Sequence, residues 1–255
     1  MNRFFVDDPG AFSDRSVVIT GEDVNHVKNV LRLKENDELI VSDGRGRDYH
    51  CRISGITNEE VVADICDICD NFSELSTEIT LFQGFPKGDK MELIIQKTVE
   101  LGVTRIVPVM TKRTVVKFDD KKAKKKTERY NMIAESAAKQ SGRGMIPEVT
   151  MPVSFAEAVS MAEKLDMNII PYEEAEGVEY SRNIIKSIKG KKSLGIFIGP
   201  EGGFAREEVE KALDAGASAI TLGHRILRTE TAGMAVISII MFELEEDRYE
   251  DGSIF

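Results

Sequence analysis

The stretch "SLGIFIGPEGGFAREEVEKALDAGASAITLG", residues 193–223, decides the fold. An apolar strand (193–199) runs into a glycine-rich loop (199–204), and a helix (205–216) then leads to a second strand (218–223). A strand, a helix and a strand in this order are typical of a parallel sheet that helices cover. The glycines either make only a sharp turn or let the backbone approach a ligand closely, and the loop by itself leaves both interpretations open.

The same alternation of strands and helices begins near residue 75 and continues along the chain. We predict further strands at 77–85, 104–110 and 167–173, and helices at 87–103, 128–142, 155–165, 180–188 and 229–245. This rhythm predicts an α/β fold with a mostly parallel sheet covered on both faces. Ligands of such folds bind at the carboxyl ends of the strands.

The first 70 residues follow a different pattern. Turn residues separate short β-rich segments, which we predict at 16–20, 37–43, 48–56 and 59–68. One helix, predicted at 22–33, places four apolar residues on one face: Val24, Val27, Val30 and Leu31. Short strands closed by glycine-containing turns predict a small β-barrel.

Composition sets limits on location and chemistry. The chain has 255 residues, 42% of them hydrophobic, and no apolar run of about 18 residues, so we expect no membrane span. Three cysteines cannot make a disulfide framework, and residues 1–10 lack the apolar core of a signal peptide, which favours a reducing, cytoplasmic setting. The pair in "CDIC" (66–69) lacks further ligands, so strand alternation explains it better than zinc, and we predict no metal site.

The net charge of −10 taken alone argues against a nucleic-acid partner, but the charges are unevenly distributed. Residues 1–70 hold 8 basic and 15 acidic side chains, whereas residues 112–143 hold 11 basic and 4 acidic ones. The run "DDKKAKKKTER" (119–129) therefore indicates either a local basic surface or a solvated loop and helix start.

Three distinctive loops follow strands in the second part: 171–177, 199–204 and 223–232. If the strands are neighbours, these loops converge on one pocket. The middle loop lacks the lysine of a phosphate-binding Walker loop and carries Glu201, with Glu207 and Glu208 in the next turn. Each like-charge pair at about 5 Å costs roughly 3 kcal/mol at an effective dielectric near 20. The helix terminus returns only about 1 kcal/mol. A neutral or cationic ligand is expected instead, such as adenosine bearing a sulfonium.

The third loop places several polar groups between a strand and an apolar helix: His224, Arg225, Arg228, Thr229 and Glu230. Buried charges persist only when they are paired or used, which favours a site here. Thr229 also fits a simple helix cap, and that alternative stays open.

Two motifs, "GPEGGF" (199–204) and "LGHRILRTETA" (222–232), resemble the RsmE family of the SPOUT methyltransferase class. The resemblance extends over nearly the whole chain, through "RFF" (3–5), "HVKNVLR" (26–32), "KGDKMELIIQKTVELGVTRIVPVMTKRT" (87–114) and "ESAAKQSGR" (135–143). Two positions depart from the family pattern. Ala205 stands where Ser or Thr is frequent and lacks a capping hydroxyl, and Thr114 replaces a frequent Ser.

The resemblance implies a PUA-like RNA-binding barrel over residues 1–72 and a SPOUT domain with a trefoil knot over residues 73–255. It also implies an S-adenosylmethionine-dependent methyltransferase that acts on N3 of a uridine in 16S ribosomal RNA. The implied partners are that RNA or the small ribosomal subunit and a second copy of the chain, in the cytoplasm and without a membrane.

The expected site residues follow from the same motifs. Methyl transfer from a sulfonium is an in-line substitution, and uridine N3 must lose its proton. We expect Arg228 to stabilise the developing anion and Glu230, or a water it positions, to accept the proton; an ion pair of Arg228 with Glu230 or Glu201 is the structural alternative. The expected cofactor-binding residues are Pro171, Tyr172, Glu173, Gly199, Pro200, Glu201, Gly202, Gly203, Leu222, Gly223, Ile226, Leu227, Thr231 and Ala232. The expected RNA contacts are Arg3, His26, Arg32, Lys87, Arg113 and Arg143.

Three alternatives stay open. A SPOUT enzyme can modify another atom, such as a ribose 2′-oxygen or guanine N1. A non-catalytic RNA-binding protein would lack an adenosine-shaped pocket. A small-molecule enzyme on a doubly wound fold would bind phosphate at Gly202, which the local acids oppose.

Overall fold

The computed structural model describes residues 1–115 and 119–245. The chain divides into two compact units: Met1–Glu74 with Ala138–Ile146, and Leu75–Ala137 with Pro147–Phe255. Residues 138–146 join the first unit, which a split into two continuous segments does not anticipate. The functional boundary expected after residue 72 stays a prediction.

The first unit is built on a five-stranded sheet in the order β1-β3-β4-β5-β2. The strands are β1 (Asn2–Phe5), β2 (Ser16–Thr20), β3 (Glu38–Ser42), β4 (Arg47–Ile56) and β5 (Glu60–Asp70). Strand β1 pairs with β3 in parallel, and the other neighbours are antiparallel. Four of these strands lie where the alternation of side chains predicts them, and "CDIC" forms part of β5.

The helix of this unit departs from its predicted register. It begins as α1 (Glu22–Asn25) and continues as a π-helical turn, His26–Val30. Val24 and Val27 are buried, but Val30 is 61% exposed, so the predicted face is wrong at that position. The backbone N–H of Leu31 bonds to His26 O at 2.9 Å, and this wider turn rotates Val30 away from the core.

The second unit contains a parallel sheet in the order β12-β10-β11-β6-β7-β8, with β9 also paired to β7. Its strands are β6 (Glu78–Gly84), β7 (Arg105–Met110), β8 (Glu148–Val149), β9 (Val153–Ser154), β10 (Met167–Pro171), β11 (Ser193–Ile198) and β12 (Ser218–Ile220). All pairings are parallel, which confirms the α/β class read from the alternation of elements. The two-residue strands β8 and β9 were not predicted.

Six helices accompany this sheet: α2 (Lys90–Glu100), α3 (Asp120–Ser141), α4 (Phe155–Ala162), α5 (Val178–Lys186), α6 (Arg206–Asp214) and α7 (Thr229–Leu244). Helix α3 begins eight residues before its predicted start at 128, and the lysine run forms its first turns. Buried Ala123 and Tyr130, seven residues apart, give this polar segment an inward face. In the described ranges, no helix is long and apolar enough to cross a membrane.

Aromatic packing and a close backbone approach fix the carboxyl edge of the sheet. Phe82 and Phe197, on adjacent strands β6 and β11, stack with ring centroids 4.6 Å apart. At the end of β6, a Cβ on Gly84 would lie 2.4 Å from Pro200 Cδ. Only glycine at this position lets the loop after β11 lie directly on the strand.

Candidate active site

The three loops that follow β10, β11 and β12 meet at one cavity. Strand β10 pairs in parallel with both β11 and β12, so their carboxyl ends lie side by side. The cavity has a volume of about 980 Å³, and residues of all three loops line it. This confirms the convergence that the sequence predicts.

Most of the expected cofactor-binding residues line this cavity. They are Pro171, Tyr172, Glu173, Gly199, Pro200, Glu201, Gly202, Gly203, Leu222, Gly223, Ile226, Leu227 and Ala232. Thr231 is exposed and is not among the lining residues. Arg228 lines the cavity, whereas Glu230 is not among the lining residues and contacts one of them, Lys90.

Sequence reasoning missed several lining residues, namely Lys90, Ala175, Val178, Phe204 and Thr221, and assigned no role to His224 and Arg225. Lys90 lies in a segment that the family resemblance includes, but no spacing rule connects it with loops more than 80 residues away. Arg113, expected to contact RNA, also lines the cavity.

The glycine-rich loop is a tight turn. The N–H of Gly203 donates to Pro200 O at 2.8 Å, and Gly203 has a φ of 67°. A Cβ on Gly199 would lie 3.0 Å from the backbone of Gly203. The Arg113 guanidinium donates to the carbonyl of Gly202, which ties the β7–α3 connection to this loop. The turn therefore requires glycine at two positions.

Lys90 joins two acids at the cavity wall. Its Nζ lies 3.1 Å from Glu201 Oε1 and 3.3 Å from Glu230 Oε2, an ion-pair contact without hydrogen-bond geometry at Glu230. The pKa of Lys90 is raised, first by its hydrogen bond with Glu201. Burial acts to raise the pKa of Glu201, but hydrogen bonds from its own N–H, from Lys90 and from the Lys87 N–H lower it overall.

The contacts of Lys90 also determine what is left for Arg228. In the described part of the chain, Arg228 forms an ion pair with neither Glu230 nor Glu201, because Lys90 occupies both. The structural alternative considered for Arg228 therefore does not hold. An exposed guanidinium at the cavity is available to a negative charge that develops on a ligand.

The predicted repulsion from three carboxylates is wrong. Glu207 pairs with Lys112, and buried Glu208 accepts hydrogen bonds from the N–H groups of Lys112 and Ala205, both at positions outside the cavity lining. The lining carries two acids, Glu173 and Glu201. It also carries four cationic side chains: Lys90, Arg113, Arg225 and Arg228. Charge alone therefore does not exclude an anionic ligand.

Thr229 joins two of the loops rather than capping the helix. The cap residue of α7 is Arg228, and the structure shows no side-chain capping hydrogen bond there. The Thr229 hydroxyl donates to Gly199 O at 2.6 Å and accepts from Gln83 Nε2 at 2.9 Å. Both side chains are buried, so Thr229 fixes the glycine-rich loop against the start of α7.

Two of the expected RNA contacts are used inside the first unit. Arg3 pairs bidentately with Asp48, with an Nη2–Oδ2 distance of 2.7 Å, and its side chain is 10% exposed. Arg143 is 2% exposed and donates from Nε to Glu74 at 2.8 Å. Arg3 pairs with a buried acid and Arg143 with a half-buried one, and a nucleic-acid phosphate would have to compete with those ion pairs. These ion pairs give Arg3 and Arg143 a structural role, and their contact with RNA stays a prediction.

The other expected RNA contacts are exposed. They are His26, Arg32, Lys87 and Arg113. His26 stands edge-on to Phe4, with centroids 6.1 Å apart, and Arg32 adopts a positive φ of 55°. That backbone conformation is unusual for arginine and ends the helical segment sharply.

Comparisons with known proteins agree with this geometry. The RNA methyltransferase domain family matches residues 73–241, and the RNA methyltransferase PUA domain family matches residues 19–66. Ribosomal RNA small subunit methyltransferase E of Bacillus subtilis (strain 168) is 38% identical, over 89% of this chain and 90% of that protein. The Mesomycoplasma hyopneumoniae protein of the same name is 30% identical, over 93% and 98%.

Solved structures show the same fold. Ribosomal RNA small subunit methyltransferase E of Neisseria gonorrhoeae, bound to S-adenosyl methionine, superposes with a TM-score of 0.82. It is 32% identical and covers 95% of this chain and 97% of its own. A Legionella pneumophila protein in complex with the cofactor SAM also gives 0.82, at 30% identity, with 94% and 96% covered.

Fold, cavity and matches together define an RNA methyltransferase with a PUA domain. Within that class, the chain belongs to the ribosomal RNA small subunit methyltransferase E family.

Proposed function

We propose that this protein is an S-adenosylmethionine-dependent methyltransferase that modifies N3 of a uridine in 16S ribosomal RNA of the small subunit. The observation that carries the proposal is the cavity of about 980 Å³ where the three loops meet, in a fold whose relatives were solved with S-adenosyl methionine. A volume near 1,000 Å³ is at the upper end for ligand pockets and suits a nucleoside-sized cofactor.

Main-chain groups of the third loop and the carboxylate of Glu201 are the groups that would hold the cofactor. Leu222, Gly223, Ile226 and Leu227 offer main-chain groups to a base edge, and Gly223 has a φ of 101° that suits a close approach. Glu201 lines the same cavity and would interact there with the ribose or the sulfonium of the cofactor. When bound, the cofactor supplies an electrophilic methyl group on that sulfonium.

The residues of the chain then act on the uracil ring. Arg228, exposed at the cavity and not engaged by Glu201 or Glu230, stabilises the negative charge that develops on O2 or O4 as N3 loses its proton. Glu230, held at 3.3 Å by Lys90, orients a water that accepts this proton. Lys90 is thus a positioning residue for Glu230.

We further propose the partners that the family resemblance implies. His26 and Arg32 of the first unit, with Lys87 and Arg113 of the second, are exposed and contact the RNA. Helix α7 exposes Phe242 and Ile239, which supports a homodimer. The RNA substrate supports a cytoplasmic location, and the domain division (1–72 and 73–255) and the trefoil knot stay predictions.

Arg228→Ala tests the chemistry. We expect kcat for methyl transfer to unmethylated small subunits to fall roughly 100-fold or more, because removing one donor to a developing oxyanion costs on that order. Cofactor affinity, measured by calorimetry, should stay near the wild-type value. The matched control is Arg225→Ala, which removes a guanidinium from the same cavity lining and should keep kcat.

Mapping the product identifies the atom. Nuclease digestion and mass spectrometry of the labelled RNA should yield N3-methyluridine. Methylation of a ribose oxygen or a guanine instead would retain the enzyme class but contradict the target, and an Arg228→Ala variant with full kcat would remove Arg228 from the chemistry.

A further inference from the structure

The first turns of helix α3 present a lysine surface to solvent. Lys121, Lys122, Lys124 and Lys125 are exposed, while Lys126 is half-buried, with Nζ 5.8 Å from the ring centroid of Tyr130. Ala123 packs inward, and at 100° per residue Lys121 and Lys125 lie on the opposite side of the helix. Lys124 lies between them and the buried face.

Three of these lysines have no acidic partner among the described residues. Asp119 pairs with Lys122 at 3.6 Å, and Glu92 pairs with Arg129 at 2.7 Å. In the described ranges, Lys121, Lys124 and Lys125 make no ion pair, and nearby Asp120 and Glu128 do not reach them. The helix dipole disfavours cations near the amino end of a helix. The positive charge of these three lysines therefore opposes the helix dipole, and no ion pair among the described residues compensates it.

The place of helix α3 in the fold relates this segment to the carboxyl edge of the sheet, where the cavity lies. Helix α3 follows β7 at its carboxyl end, the sheet edge where the cavity opens, and Arg113 in that connection lines the cavity. Downstream, Arg129 pairs with Glu92 in the first turn of α2, two residues after the lining residue Lys90. Along the chain, these three lysines thus lie between Arg113, which lines the cavity, and Arg129, which pairs with Glu92 of α2.

We propose that Lys121, Lys124 and Lys125 form a phosphate-binding surface for the RNA strand that flanks the target nucleotide. The inference rests on the proposed function, since it assumes that a target base occupies the cavity. Ammonium groups are compact point charges that contact phosphates without reading bases. The surface therefore positions the RNA and does not select its sequence, and its loss raises KM for RNA while kcat persists.

The test replaces all three lysines with glutamine, which keeps helix propensity. The substrate is the purified small subunit carrying unmethylated 16S RNA, and KM is measured between 50 and 200 mM salt. Each lost phosphate contact removes about 0.7 to 0.9 from the logarithmic salt slope. The rise of KM over this range should become roughly 20- to 40-fold smaller for three contacts.

A matched control uses Lys189, Lys191 and Lys192, changed to glutamine together. These lysines are also exposed, but they precede β11 and lie at the amino edge of the sheet, away from the cavity. The control variant removes the same charge from the same unit and should keep the wild-type salt slope. Circular dichroism and cofactor affinity show that both variants are folded.

The outcomes separate the surface from the enzyme. An unchanged KM and salt slope in the K121Q/K124Q/K125Q variant overturns the surface, as does an equal loss in both variants, which would mean general attraction by net charge. Absence of methyl transfer by the wild-type protein would instead contradict the proposed function. Binding of a fluorescent 16S fragment then tests the surface directly, and equal affinities of wild type and variant would reject it.

Discussion

At the scale of single residues, Thr229 shows what sequence reasoning can and cannot reach. Its place before an apolar helix predicts a cap, which is a local role. The structure instead uses the hydroxyl over long range, between Gln83 of β6 and the carbonyl of Gly199. A partner 146 positions away leaves no periodic signal in the sequence, so the motif could be found but the hydrogen bond could not.

Thr229→Val should destabilise the protein and weaken cofactor binding. Valine keeps the shape but removes the hydroxyl, so the half-buried Gly199 carbonyl and the buried Gln83 amide each lose a hydrogen-bond partner. We expect the free energy of unfolding to fall by about 1–3 kcal/mol, measured by urea denaturation. Thr231→Val in the same turn is the control, because Thr231 is exposed and should tolerate the change. Equal stability of both variants would refute the role of Thr229.

Lys90 and the two arginines of the first unit extend this lesson. The acids Glu201 and Glu230 stand out in the sequence, whereas the lysine that holds both could not be chosen among 34 basic residues. Arg3 and Arg143 matched a family pattern and suggested RNA. Only their burial shows that Asp48 and Glu74 are their partners.

At the scale of elements, helix ends follow the sequence closely where a capping residue is present. Helix α4 begins with a complete capping box, Ser154 with Glu157, and the hydrogen bond from Ser154 lowers the pKa of Glu157. The N-cap residue of helix α6 is Ala205, which has no side-chain acceptor, yet the Glu208 carboxylate still accepts a hydrogen bond from the Ala205 N–H at 2.8 Å. Helix α6 therefore keeps one of the two hydrogen bonds of a capping box and lacks the one that a side chain at position 205 would accept.

Ala205→Ser should complete the box and stabilise the protein. A serine hydroxyl can accept a hydrogen bond from an N–H group of the first turn, and such caps contribute about 0.5–2 kcal/mol. We expect the urea midpoint to rise with no change of slope. Ser154→Ala is the reciprocal variant and should lower the midpoint by a similar amount. A lower midpoint in Ala205→Ser would mean that the buried site cannot accept the hydroxyl.

Element boundaries that propensity alone decides were less well predicted. The start of α3 was placed too late because the lysine run resembles a solvated loop. The buried residues Ala123 and Tyr130, seven positions apart, are the sequence signal for the earlier start. The π-helical turn at His26–Val30 could not be predicted, because the apolar pattern there fits an ordinary helix.

At the scale of the whole molecule, alternating strands and helices predict the parallel sheet but not its order. Strand β6, the first of its sheet in the chain, lies in the middle between β11 and β7. That order brings three loops of the last hundred residues together, and it depends on long-range pairing that local patterns do not encode. The cavity could be predicted because all three motifs follow parallel strands, whose carboxyl ends lie at the same edge of the sheet. The distances between the loops could not be predicted in this way.

The assembly state is tested at the exposed face of α7. Phe242 is 82% exposed and Ile239 is 46% exposed, an apolar surface that a second copy can cover. Phe242→Glu should convert the proposed dimer into a monomer, since burying an unpaired charge opposes association. Light scattering during size-exclusion chromatography gives the mass. A wild-type mass near the 28.4 kDa of one chain would contradict the dimer outright.

Gly84, at the end of β6, also bears on how the cavity is formed. Pro200 rests in the space that any larger residue at this position would fill, so the wall of the cavity is continuous with the packed interior. A binding site seated in this way is shaped before its occupant arrives, and little ordering entropy is lost on association. We therefore expect no substitution to be tolerated at Gly84, because even the added methyl group of alanine would displace the loop.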